Sequence, residues 1–159
     1  MVLAFSGSSE DDEFFFFIRY DRRELQQTVP EEFYRAPEKL VYKFISNKLV
    51  FAYDNSGVLF LNSANILIPE IPGMSIKTVL AFLNSEVFAY LRKMSSPGVK
   101  VLKGELTGLP FPEIPVAENR ILEALVDKIL AGEDAAAVNE RISRIFALTA
   151  EQIAHIRQA

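Results

Sequence analysis

The amino-acid sequence predicts an α+β fold: a β-rich N-terminal part with hairpins, one long central helix and a helical C-terminal tail. Three observations carry this. Up to Pro69 the apolar residues gather in short β-branched and aromatic runs separated by Asn, Asp, Gly and Pro, the pattern of strands and turns. From Ser75 onward the apolar spacing changes to steps of three and four residues, which is the period of a helix. Half of the 159 residues are hydrophobic, so the chain can close a substantial core as a single domain.

The elements follow in order. Residues 1–13 read as a disordered lead or an artificial boundary. They carry no basic start of a secretory signal and run directly into the acids Glu10, Asp11, Asp12 and Glu13. FFFFIRY at 14–20 is aromatic, too short for a helix and bounded by polar residues, so it is expected as a buried strand. After Pro30 and Pro37, KLVYKFIS at 39–46 and KLVFAYD at 48–54 form two β-rich runs about Asn47. DNSG at 54–57 is a turn, because Asn and Gly tolerate positive φ. VLFLN at 58–62 and NILIP at 65–69 supply further strand character, and Pro72-Gly73 closes the β-rich half.

Ser75 is the expected N-cap of the central helix. Ile76, Val79, Leu80, Leu83, Val87, Tyr90, Leu91 and Met94 then form one apolar face. SSPG at 95–98 breaks it, VKVL at 99–102 reads as a short strand, and LPFP at 109–112 is extended because each proline restricts the residue before it. Residues 14–116 make the core of the domain and residues 117–159 its helical tail. In that tail Ile121, Leu122, Leu125, Val126 and Ile129 form a stripe that stops at Gly132, and Val138, Ile142, Ile145 and Phe146 form a second. Thr149 and Gln152 have the spacing of a capping box at the start of a last helix.

Composition excludes several chemistries. With no cysteine, the chain has no disulfide framework, thiol nucleophile or cysteine zinc site, and a reducing cytoplasm is its expected location. No apolar run approaches the roughly 20 residues that span a bilayer. The single histidine, His155, sits near the chain end without a triad or a metal cluster around it. An acid, any residue, then lysine occurs nowhere, and the seven glycines form neither GxGxxG nor GxxxxGK[ST]. The carboxylate pairs Glu31-Glu32 and Glu133-Asp134 lie in polar, solvated segments. No catalytic residue, cofactor site or metal site is therefore assigned to this chain.

The net charge of -4 hides a partition: residues 1–34 sum to -5, residues 35–103 to +5 and residues 104–159 to -4. A basic middle in an acidic chain fits a polyanion contact, and equally a solvated surface whose signs happen to segregate.

The strand pair at 39–54, LNSAN at 61–65 running into Ile68-Pro69, LNS at 83–85, KVLK at 100–103 and LPFP at 109–112 occur in one order. In that order the chain resembles the TaqI-like C-terminal specificity domain of adenine-specific DNA methyltransferases, including fused restriction-modification enzymes. FALTAEQI at 146–153 is similar to the closing helices of that family. The resemblance implies a target-recognition domain for double-stranded DNA. It serves a catalytic domain, in the same or a partner chain, that transfers a methyl group from S-adenosylmethionine to adenine N6. The catalytic Asn/Asp-Pro-Pro-Tyr/Phe motif and the glycine-rich cofactor loop are absent here, so the chain reads as a fragment or separately encoded piece without methylating activity of its own.

Lysine and arginine gain affinity for a duplex by releasing counterions, and Arg, Lys, Asn and Ser read base edges at groove depth. On that basis the expected DNA contacts are Arg35, Lys39, Lys43, Ser46, Asn47 and Lys48 in the basic hairpin, Arg92 and Lys93 at the helix end, and Lys100 and Lys103 before the proline-rich element. Asn62, Ser63, Asn84 and Ser85 match family motifs, but their types favour turn and helix hydrogen bonding. The competing expectations are a protein-interaction scaffold that docks a partner through residues 121–156 and, more remotely, a stand-alone hydrolase.

Overall fold

The computed structural model describes residues 2–9, 12–19, 30–43, 50–58, 64–95 and 103–159. Among the described residues it is a mixed α+β fold with two antiparallel sheets and seven helices. Strands β1 (Val2–Ser9) and β2 (Asp12–Arg19) form a two-stranded hairpin with Val2 opposite Arg19 and Ser9 opposite Asp12. The aromatic run at 14–17 thus lies in a strand, and its partner is the stretch that the sequence suggests as a lead.

The second sheet has the order β4-β3-β5, with β3 (Lys39–Lys43) between β4 (Phe51–Asp54) and β5 (Ala64–Leu67). Because opposed residues share a face, Leu40, Tyr42, Phe51, Tyr53, Asn65 and Leu67 line one side. That side meets the helices: Leu40, Tyr42 and Phe51 are buried in the main core, with Tyr53 and Leu67 packed against it. The short helix α1 (Glu31–Tyr34) precedes β3 and follows Pro30, a residue whose fixed φ suits a helix start.

The apolar stripe at 76–94, expected as one long helix, is divided into α2 (Ile76–Leu83) and α3 (Glu86–Ser95). The reason is local. Asn84 ends α2, and Ser85 accepts from the backbone N–H of Phe88 at 3.2 Å while donating to the carbonyl of Phe82 at 2.7 Å. Ser85 therefore caps a new helix instead of continuing the old one. Asn139 adds a second cap from outside, accepting from the Glu86 backbone at 2.9 Å. Ser75 caps α2 as its type predicts, through Thr78.

Helix α4 (Lys103–Thr107) leads to the extended 109–112 segment. That segment delivers Phe111 between two helical aromatics, 4.9 Å from the Phe88 ring and 5.8 Å from that of Phe82. Phe146 closes the cluster at 6.1 Å and 6.2 Å, all in the tilted or edge-on arrangements that aromatic rings prefer.

The tail folds as three helices, α5 (Val116–Leu130), α6 (Ala136–Ile145) and α7 (Ala150–Gln158). Leu122, Val126, Val138 and Ile142 carry the two predicted stripes into the core. Gly132, at φ 105°, ends α5: its N–H bonds the Ile129 carbonyl, and that of Glu133 bonds Lys128, the paired pattern of a helix C-terminus. Ala147 does the same for α6 at φ 50°, without glycine's freedom. Thr149 and Gln152 form the expected capping box at α7. None of the helices described is long and apolar enough to cross a membrane.

Candidate nucleic-acid interface

One end of the three-stranded sheet gathers the anchors of two connecting segments, one of which, 44–49, carries expected DNA contacts. Lys43 is the last residue of β3 and lies opposite Ala64, the first residue of β5. Val50 and Phe51 begin the return along β4, with Phe51 opposite Tyr42. The chain between Lys43 and Val50, and the chain entering Ala64, are therefore tied to the same edge of the fold.

This edge is firmly built. The Tyr42 and Phe51 rings meet at 5.1 Å, and both residues are buried. Burial pushes the Tyr42 hydroxyl pKa up, with a side-chain hydrogen bond to Asn65 working against the rise. The Asn84 side chain grips the Phe51 backbone twice: Oδ1 accepts from its N–H at 2.8 Å and Nδ2 donates to its carbonyl at 2.8 Å. An amide that accepts and donates in this way reproduces the pairing of a neighbouring strand residue. It seals β4 where a sheet edge would otherwise present open groups.

The ten expected DNA contacts fall into different places. Lys43 is exposed at this edge. Ser46, Asn47 and Lys48 lie in the 44–49 segment that it anchors, outside the described residues, as does Lys100. Lys103 opens α4, and its side chain lies outside the description. Arg35 is exposed but paired with Glu31 at 2.6 Å, and exposed Lys93 donates to the carbonyl of Ala159.

Two expectations are corrected. Lys39 is fully buried: its ammonium is 2.6 Å from Asp54 and donates to the Tyr34 carbonyl at 3.0 Å. Burial alone would raise the Asp54 pKa, but hydrogen bonds from Lys39 and Ser56 overcome it and hold the carboxyl below its ordinary value. Arg92, 8% exposed, turns inward with its Nε 3.9 Å from Glu105. Both cations serve the fold, because a charge withdrawn from water needs an opposite charge nearby.

Lys77, another contributor to the basic middle, is likewise occupied. It pairs with Asp127 at 2.6 Å and sits 5.4 Å from the centre of the Tyr53 ring, a cation over an aromatic face. Burial and the adjoining Glu38 push the Tyr53 pKa up to about 12. The basic middle is thus not one continuous belt: among the described residues, Lys39, Arg92 and Lys77 are engaged in ion pairs with acids of the same chain.

The sequence contained a signal for the first correction. With β3 and β4 antiparallel, Lys39 lies directly opposite Asp54, and opposite charges in that relation pair. It contained none for Asn84, whose partner lies 33 residues earlier. Ser85, by contrast, is the local helix hydrogen bonder its type suggests. Asn62 and Ser63 lie outside the described residues. No group of three or more His, Cys, Asp or Glu side chains able to hold a metal ion occurs among the described residues.

The family model of the TaqI-like C-terminal specificity domain matches residues 14–116, most of the chain, and the chain belongs to that family. The match ends where α5 begins, so the three tail helices lie beyond it, together with the stretch at 146–153. No curated protein and no solved structure matches the chain.

Proposed function

We propose that this chain is a DNA target-recognition domain which presents a duplex to an adenine-N6 methyltransferase domain carried elsewhere in the same or a partner chain. Membership of the specificity-domain family is the observation that carries the reading. The sheet edge at Lys43, Val50 and Ala64 supports it, because it anchors the segments holding Ser46, Asn47 and Lys48 and leaves Lys43 exposed. S-adenosylmethionine belongs to the catalytic domain, and the cytoplasm is the compartment in which the pair would work.

In this reading Lys43, Lys48 and Lys100 neutralise phosphates, while Ser46 and Asn47 reach base edges. The test is titration of the purified chain with duplex DNA at several salt concentrations. Binding should weaken with salt by about 0.9 log units per log unit of salt for each phosphate neutralised. Lys43→Glu should reduce that slope by about one contact or more, whereas Arg35→Glu, which alters an already paired cation, should change it less. Salt-insensitive or absent binding would remove the DNA reading and leave an interaction scaffold in its place.

A further inference from the structure

We propose that α7 is exchangeable between two copies of this chain: Ala147 is a hinge at which α6 and α7 join into one helix, and the groove along α3 that α7 leaves receives α7 of the second copy. The inference is independent of the DNA reading above. It stands on the connection between α6 and α7 and on the face where α7 is seated.

The two helix breaks in the tail differ in kind. Gly132 ends α5 at positive φ, where glycine is at ease. From Glu133 to Ala159 there is neither glycine nor proline, and the break between α6 and α7 falls at Ala147, φ 50°. Alanine is the strongest helix former and its Cβ opposes the left-handed region, so local preference runs against this break. The side-chain spacing also continues across it. Val138, Ile142 and Ile145 are followed by Thr149, Ile153 and Ile156 at steps of three and four residues, which is one face if the backbone is helical throughout. The observed turn is held by the capping box of Thr149 with Gln152 and by the Ala147 and Leu148 N–H groups, which bond the Arg144 and Ser143 carbonyls. A continuous helix replaces these with its own backbone bonds and returns Ala147 to the right-handed region.

The seat of α7 is confined to one row on α3. Arg157 pairs with Glu86 at 3.0 Å, the His155 and Tyr90 rings meet with centroids 5.7 Å apart, and Lys93 donates to the carbonyl of the C-cap residue Ala159. A groove of about 800 Å³ runs between the two helices, with Val87, Leu91 and Phe146 in its lining, and α7 buries none of its residues. A joined helix over residues 136–158 is about 34 Å long and carries α7 away from α3. The row then presents the Glu86 acid beside apolar Val87 and Leu91, and the segment that matches it in charge and shape is α7 itself. In a symmetric pair each copy supplies what the other has lost, so the contacts between α3 and α7 are regained and the two forms differ at the hinge. Concentration governs the outcome, because a short connection presents each copy's own α7 at an effective concentration of about 1 mM.

The experiment mixes two charge variants of the whole chain, Glu86→Arg and Arg157→Glu, at up to about 1 mM and measures mass by analytical ultracentrifugation. Both side chains are open to water, 39% and 56% exposed, so the core is left intact. Each variant alone sets like charges together, whether its α7 is closed or exchanged with an identical copy. Only exchange between the two variants restores both opposite-charge pairs. The expected result is a dimer fraction about fivefold or more higher in the mixture than in either variant alone, from two surface ion pairs. The second arm adds Ala150→Pro to both variants. Residue 150 is the first of α7, a position that suits proline, and Thr149 before it is already extended at φ −75° and ψ 161°. In the joined helix the same proline removes the bond to the Phe146 carbonyl and breaks the helix, so the mixed dimer should fall about tenfold or more. A mixture that stays monomeric, or a mixed dimer that persists with Ala150→Pro, overturns the exchange. The DNA reading is untouched by either result, since its own test is the salt-dependent titration.

Discussion

Lys39 and Asp54 share a buried position at the end of the β3–β4 pair, 0% and 9% exposed in their side chains. Removing one charge from a buried pair leaves the other uncompensated, at a cost of about 3–5 kcal/mol. Lys39→Met should therefore lower the urea midpoint sharply, and Lys39→Met combined with Asp54→Leu should recover part of the loss. The same pair predicts a pH dependence with a definite sign. The Asp54 pKa lies below its ordinary 3.8 in the folded state, so its stabilisation is complete above that value and is lost as pH falls through the lower folded one. Glu118, held low by Arg141, contributes in the same direction below its ordinary 4.5. Denaturation of wild type and Asp54→Asn should differ most near neutrality and converge as pH falls below 3.8 and through the lower folded pKa of Asp54. Ala147 is the opposite case, a residue that strains the fold. At φ 50° it occupies a backbone region that costs a non-glycine residue about 1–2 kcal/mol. Ala147→Gly should raise stability by about 0.5–1 kcal/mol once glycine's greater unfolded-state freedom is subtracted, measurable as an increase in melting temperature.

The elements differ in how firmly they are attached. Helix α5 buries Leu122 and Val126, and α6 buries Val138, Ile142 and Ser143. Helix α7 buries none of its residues. It is joined to α3 by Arg157 to Glu86 at 3.0 Å and by the edge-on contact of Tyr90 with His155, interactions at exposed positions where an ion pair contributes about 1 kcal/mol or less. Its own capping box therefore matters. Thr149→Ala should cost about 0.5–2 kcal/mol, and hydrogen exchange should show faster opening of the α7 amides while those of α5 stay protected. The α2–α3 break shows the same principle from the other side. An apolar stripe reports which face is buried but does not require the backbone hydrogen bonds to run on through Asn84 and Ser85: Ser85 bonds locally to Phe82 and Phe88, and the Asn84 side chain bonds Phe51.

For the whole molecule, the sequence alone determined the α+β class, the order of sheet before helices, the caps at Ser75 and Thr149, the stop at Gly132 and the family resemblance. Each depends on periodicity or on residues within a few positions of one another, and such relations are written along the chain. It did not separate cations available to a ligand from cations used internally. Lys39 has the same chemistry as Lys43, and only the neighbours brought by folding distinguish the buried one from the exposed one. The positive φ at Ala147 left no glycine to mark it, and the grip of Asn84 on Phe51 joins residues far apart in the chain. Those features were decided by the tertiary structure, because a hydrogen bond or ion pair between distant residues exists only when packing brings donor and acceptor within reach and removes competing water.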